Sequence, residues 1–193
     1  MVAGPSAPLR ELAVAGRLIS WAAAQHADRP SVVFRDQTYT HAEVEARSNR
    51  LAHALCALGL RPGERFAVLL ENSIDSIDSV FGAEKAALTY VALNARHTIA
   101  EHLEVLADAQ ASAVLLVPQF GELAQALAQQ GAAALPSLRL VLGVGLAGMP
   151  GVTDLAPLCA RAVDTPPAIA VPDGHIARIS STPIALGERL YSR

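Results

Sequence analysis

Apolar residues along the chain switch repeatedly between helical and extended spacing. From Leu9 to Ala24, Leu12, Ala15, Leu18, Ile19 and Ala22 fall on one helical face, and Asp28-Arg29-Pro30 ends the run. Ser31–Phe34 and Thr38–Thr40 alternate like paired strands around a turn at Asp36-Gln37, which predicts a hairpin. A helix must start at once, because Thr40 and Glu43 have the spacing of a capping box, each side chain satisfying the other residue's free backbone N–H. Val44, Leu51, Leu55 and Leu58 line that helix, and Gly59 followed by Pro62 stops it.

Arg65–Leu70 is nearly all apolar, the pattern of a strand covered on both faces, which implies a parallel sheet. Asn72-Ser73 then caps a helix carrying Ile74, Ile77, Val80 and Phe81, and Thr89–Leu93 is the next strand. Thr98 and Glu101 form a second capping box for a helix whose Ile99, Leu103 and Leu106 are expected to face inward. Strand Ala113–Val117, helix 119–130 with Phe120, Leu123 and Leu127 inward, and strand Leu138–Leu142 complete the series. After Gly143 come a Gly-rich loop, a short helix near Leu155–Ala162, a linker over Asp164–Gly174 and a last strand over His175–Ser180. The alternation predicts an α/β fold: a partial doubly wound, mainly parallel sheet flanked by helices and preceded by a helix and a β-hairpin.

Composition narrows the functional classes. At 52% hydrophobic and 17% charged, the 193 residues suffice for a packed core, and aromatics are so few (4%) that small and aliphatic side chains must fill it. Fifteen basic against 18 acidic residues, with no basic block, argue against nucleic-acid binding. Cys56 and Cys159 have no metal or CxxC spacing and read as plain thiols. Arg10, Glu11 and Arg17 interrupt any secretory signal, and no run approaches a membrane span, so a cytoplasmic location is expected.

Several short matches occur in order. Tyr39-Thr40-His41-Ala42-Glu43, Asn49-Arg50-Leu51-Ala52 with Leu55 and Gly59, and Arg61-Pro62-Gly63-Glu64-Arg65 before Val68-Leu69-Leu70 are three of them. Asn72-Ser73 with Gly82 and Lys85-Ala86, Tyr90-Val91-Ala92-Leu93-Asn94, and Thr98–Leu106 with Ala109–Val117 are three more. Together they resemble the opening portion of the adenylate-forming (AMP-binding) acyl-CoA synthetases and ligases. The resemblance implies a chemistry in which ATP activates a carboxylic acid, such as a fatty acid, to an acyl-adenylate that is passed to CoA, with ATP, Mg2+ and CoA used by the intact family. Ala87 stands where the family commonly has Gly, and Ala92 where it has Pro.

The larger departure comes after Ile176–Thr182, which resembles the strand entering the family's phosphate-binding loop. That loop is rich in glycines and hydroxyls and carries a lysine, so that donors surround the phosphates. Here the chain reads Pro183-Ile184-Ala185-Leu186-Gly187-Glu188-Arg189, with one glycine and no lysine. Two segments are therefore expected: 1–182, a partial N-terminal domain of the family type, and 183–193, a divergent tail, as a frameshift or deletion after Thr182 or a short paralogue would give. The family's later adenine- and magnesium-contacting motifs and its C-terminal lysine have no counterpart in the sequence. The expectation is a protein inactive alone, without a bound cofactor.

Alternatives have their own residues. Gly143-Val144-Gly145-Leu146-Ala147-Gly148 satisfies GxGxxG after a strand, with Asp164 at a ribose-contact distance, the signature of a small nucleotide-binding domain; Met149-Pro150-Gly151 argues against the helix it needs. A non-catalytic module could self-associate or pair with an intact synthetase through exposed sheet edges, including that of the 31–40 hairpin. His97 and His102, five apart, are rotated from one another on a helix and read as solvated or cap-adjacent. Ser73, Asp75, Ser76, Asp78 and Ser79 read as the polar face of one helix, Glu43 and Glu101 as caps, and Lys85 as a solvated surface lysine. No catalytic, cofactor-binding or metal-binding residue is nominated.

Overall fold

A computed structural model describes residues 17–171, 174–183 and 189–192, with the backbone alone described for 130–133, 181–183 and 189–192. The start of the expected first helix, before Arg17, and the segment 184–188 lie outside the described residues. Helix α1 spans Arg17–His26, followed by the hairpin β1 (Pro30–Phe34) and β2 (Gln37–Thr40). Gln37 pairs with Phe34, so the turn falls at Arg35-Asp36, one residue earlier than expected.

Both capping boxes form. Thr40 starts α2 (His41–Ala57), its hydroxyl accepting from Glu43 N while Glu43 accepts from Thr40 N. The same exchange between Thr98 and Glu101 starts α4 (Ile99–Asp108). Helix α2 ends on Gly59 at φ 85°, with Gly59 N donating to Cys56 O and Leu60 N to Leu55 O, the paired bonds of a Schellman ending. Helix α3 (Ile74–Lys85) ends the same way at Ala87, which is held at φ 52° where the resembled family has glycine.

Strands β3 (Arg65–Leu69), β4 (Thr89–Ala92), β5 (Ala111–Leu116), β6 (Leu140–Gly143), β7 (Thr153–Asp154), β8 (Arg178–Pro183) and β9 (Arg189–Ser192) make one sheet in the order β7-β6-β5-β3-β4-β8-β9. All its pairings are parallel except β8 with β9. The two-residue β7 and the returning β9 carry too little pattern to be foreseen. Residues 118–120 form a 3-10 turn leading into α5 (Gly121–Ala134), and α6 is Ala156–Arg161.

Strand periodicity assigns the layers. Phe66 and Val68 of β3 join one core with Leu51 and Leu55 of α2, Ala83 of α3 and Leu155 beside α6. Ala67 and Leu69 face the opposite core with Leu106 of α4 and Leu123 and Leu127 of α5. Outside the first helical layer, Ile19 of α1 and Val44 of α2 meet Ile74, with Val32, Tyr39, Ile77 and Phe81 against them. Helix α3 is therefore covered on two sides, which the expected single apolar face did not anticipate. Ile99, expected to face inward, is 38% exposed at the first position of α4.

Candidate functional site

The polar residues of interest sit where α2 and α3 cross. Gly82 permits this approach: a Cβ there would stand 2.9 Å from Leu51 Cδ2. Squeezed between sheet and outer layer, α3 buries groups the sequence assigned to its solvent face. Lys85 is the main correction. It is 6% exposed, and its Nζ donates to Glu45 Oε2 (2.5 Å), Asn49 Oδ1 (2.6 Å), Ser48 Oγ (2.9 Å) and Glu45 O (3.3 Å). Burial lowers the proton affinity of Lys85, while the hydrogen bond and charge of Glu45 restore part of it.

Asp78 and Ser79 are likewise buried, correcting the expected polar face. Asp75 and Asp78, three apart, project from one side of α3, and Arg47 of α2 spans them. Its Nε donates to Asp78 Oδ2 at 2.7 Å and its Nη2 to Asp75 Oδ1 at 3.1 Å. Burial pushes the Asp78 carboxyl up to about 7, outweighing the pull of Arg47. Helix α6 closes over this ladder, leaving a cavity of about 460 Å³ between α2, α3 and α6, with Leu51, Leu115, Leu155 and Cys159 in its wall. On the far side of α3, burial also raises Glu84 to about 7, against the charge of Arg178.

The linker after α6 is strapped across α2. Asp164 O accepts from Asn49 Nδ2 at 2.6 Å, and the Asp164 carboxylate pairs with Arg50 at 2.9 Å. Asp164 is therefore engaged on α2 in an ion pair, not held free for a ribose. The Gly143–Gly148 segment has no dinucleotide geometry either: no helix begins before Ala156, while Gly145 and Gly148 turn at positive φ. Gly143 is fixed by packing, since a Cβ would lie 2.7 Å from Leu146 Cβ.

His97 and His102 are closer than expected. His97 lies in the turn before α4, not on the helix, so their ring centroids are 5.6 Å apart. His102 is buried, and burial lowers its proton affinity. Among the described residues, no three His, Cys, Asp or Glu converge as metal ligands. Cys56 and Cys159 are free thiols.

In an open parallel sheet, ligands bind beyond the carboxyl ends of the strands, where the winding direction reverses. Here that point lies between β3 and β5, with the end of β8 two strands away beyond β4. The missed Lys85 and Asp78 lie on α3 in the helical layer, Asp78 near its start on the side of these strand ends and Lys85 at its far end. Their only advance signal was polar residues interleaved with Gly82 and Ala83, a composition suited to close helix packing.

No described helix is long and apolar enough to cross a membrane. Comparison with known proteins gives consistent results. The chain is 38% identical over 89 residues to Malpinin synthetase of Mortierella alpina, covering 46% of this chain and 1% of that protein. It is 36% identical over 92 residues to a fatty acid–[acyl-carrier-protein] ligase of Streptomyces coeruleorubidus, covering 48% and 18% respectively. The fold superposes on an anthranilate CoA ligase in complex with anthranoyl-AMP at a TM-score of 0.81 and 20% identity, over 91% of this chain and 33% of that one. For a Mycobacterium tuberculosis fatty acyl CoA synthetase the values are 0.80 and 22%, over 94% and 34%. The chain thus spans about a third of these solved relatives. The family model described as AMP-binding enzyme matches residues 19–170, and the chain belongs to that family.

Proposed function

We propose that this chain is an acyl-CoA ligase-type scaffold that does not adenylate a carboxylic acid by itself. The single observation that carries the reading is the make-up of the segment after β8. Adenylation needs the acid carboxylate placed beside the α-phosphate and donors around the phosphates and their magnesium. Strand β8 brings Ser180 to the carboxyl edge of the sheet, but between Pro183 and Arg189 the sequence offers one glycine and no lysine. Those residues do not suit a triphosphate cradle, so no catalytic step is assigned to them. In this reading 1–182 is the family-type segment and 183–193 a divergent tail. ATP–pyrophosphate exchange with purified chain and a panel of fatty and aromatic acids tests it; acid-dependent exchange above background sinks it.

A second reading rests on β9, which stands at the sheet edge with one hydrogen-bonding side unpaired among the described strands. It makes the chain a non-catalytic module that pairs with an intact synthetase or with itself. A strictly monomeric mass by light scattering, alone and mixed with an intact synthetase, rules that out.

A further inference from the structure

The cavity between α2, α3 and α6 lies beyond the carboxyl ends of β5, β6 and β7, on the face that α2 and α3 cover, and the function proposed above gives it no task. Its walls are largely apolar: Leu51, Leu115, Val144 and Leu155, with Cys159 on α6. Its volume of about 460 Å³ falls within the usual range for small-molecule sites. The charged groups at its rim do not cancel. Arg50 is taken by Asp164, and Lys85 by Glu45. That leaves two carboxylates, Asp75 and Asp78, paired with the one guanidinium of Arg47, with the charge of Lys85 reaching Asp78 as a weaker pull.

Asp78 carries the shortfall. It is 6% exposed, its Oδ2 is held by Arg47, and its Oδ1 has no hydrogen-bond partner. A buried carboxylate lacking a donor is costly, and a cation or an N–H donor relieves it. Burial comes first in the titration of both Asp78 and Cys159, and the neighbouring carboxylate charges add to it. Asp78 holds its proton up to about 7 despite Arg47. The Cys159 thiol is pushed up to about 11, by burial first and by the negative charge of Asp78 second.

We propose that this cavity binds a small organic cation, an apolar body bearing an amine or amidine head, with the head seated at Asp78 between α3 and α6. The body lies against Leu115, Val144 and Leu155. The head brings the second positive charge that the pair Asp75 and Asp78 lacks, with a turn of the Asp78 carboxyl to present Oδ1. This assignment is independent of whether the chain adenylates anything.

The test is a titration of the purified chain at pH 8, followed by amide NMR, with three probes of one shape: benzamidine, benzamide and benzoate. Saturable benzamidine shifts at Asp78, Leu155 and Cys159, with benzoate at least about tenfold weaker, are expected. Asp78→Asn should weaken benzamidine about tenfold and leave benzamide nearly unchanged. Ala160→Phe, on the exposed side of α6 at the cavity mouth, should abolish binding of both without touching a charge. If Asp78→Asn does not fold, Ala160→Phe decides. Absence of saturable benzamidine binding, equal binding of benzoate, shifts confined to other regions, or unaltered binding in Ala160→Phe overturns the assignment.

Discussion

Lys85 Nζ donates to Asn49 Oδ1 at 2.6 Å, joining the end of α3 to the middle of α2. Asn49 in turn donates to Glu45 Oε1 and to Asp164 O, so one ammonium organises α2, α3 and the strap after α6. Replacing Lys85 by Met keeps the stem and removes the charge. It leaves Glu45 and Asn49 with unmatched acceptors, and breaking such a buried pair costs roughly 3 kcal/mol. Urea unfolding of Lys85→Met should show that loss; a change under about 1 kcal/mol would make the network incidental.

Gln110 is held at φ 49° just past α4, a conformation that L side chains adopt at a cost. Its side chain is exposed, so nothing is lost by trimming it. Gln110→Gly should raise stability by about 0.5 kcal/mol, the relief of strain being partly offset by the freer unfolded chain. Ala87→Gly, at φ 52° but fully buried, should gain less because a packed methyl is lost. Paired denaturant midpoints check both, and a destabilised Gln110→Gly contradicts the argument.

Gly82→Val should cost about 2 kcal/mol, because Leu51 Cγ and Cβ lie 3.0 and 3.1 Å from the new Cβ and cannot both withdraw. A variant with the parent's melting temperature would mean that α2 and α3 separate more easily than their packing implies.

Stability should fall as pH rises through neutrality. Unfolded Asp titrates near 3.8, whereas Asp78 titrates at about 7 because burial disfavours its charge. The folded chain therefore holds more protons between these values, so the contribution of Asp78 is complete below about 4 and is lost as pH passes 7. Glu84, raised from 4.5 to about 7 mainly by burial, acts in the same direction. Urea midpoints at pH 5 and pH 8 should differ less in Asp78→Asn than in the parent chain, each group contributing at most about 1.4 kcal/mol per pH unit. Parallel curves would place Asp78 in the ordinary carboxylate range.

Local signals were legible and interhelical ones were not. Thr40 with Glu43 and Thr98 with Glu101 are recognisable because a capping box is complete within four residues. The strands and both sheet faces are marked by apolar runs punctuated by Gly and Pro. Lys85 and Asp78 were misjudged because their partners, Glu45, Asn49 and Arg47, lie on another helix. Periodicity along α3 does not reveal that the α1 and hairpin layer covers its outer side. His97 and His102 were misjudged for a related reason: helical spacing was applied to a residue that precedes the helix. The phosphate-loop departure was visible in the residues themselves.

The strap between α6 and β8 also sets an order of assembly. Strand β8 docks on β4 through contacts such as Thr89 Oγ1 to Ile176 O, between residues 87 apart in sequence. Loop closure over such a span is unfavourable until the intervening βα units have condensed. Strands β3 to β6 should therefore form the nucleus and β8 should join it last, so the strand that leads toward a phosphate loop in the family is also the one this fold can release first. Backbone amides of β8 would then exchange with solvent sooner than those of β3 and β5, before the rest of the sheet opens.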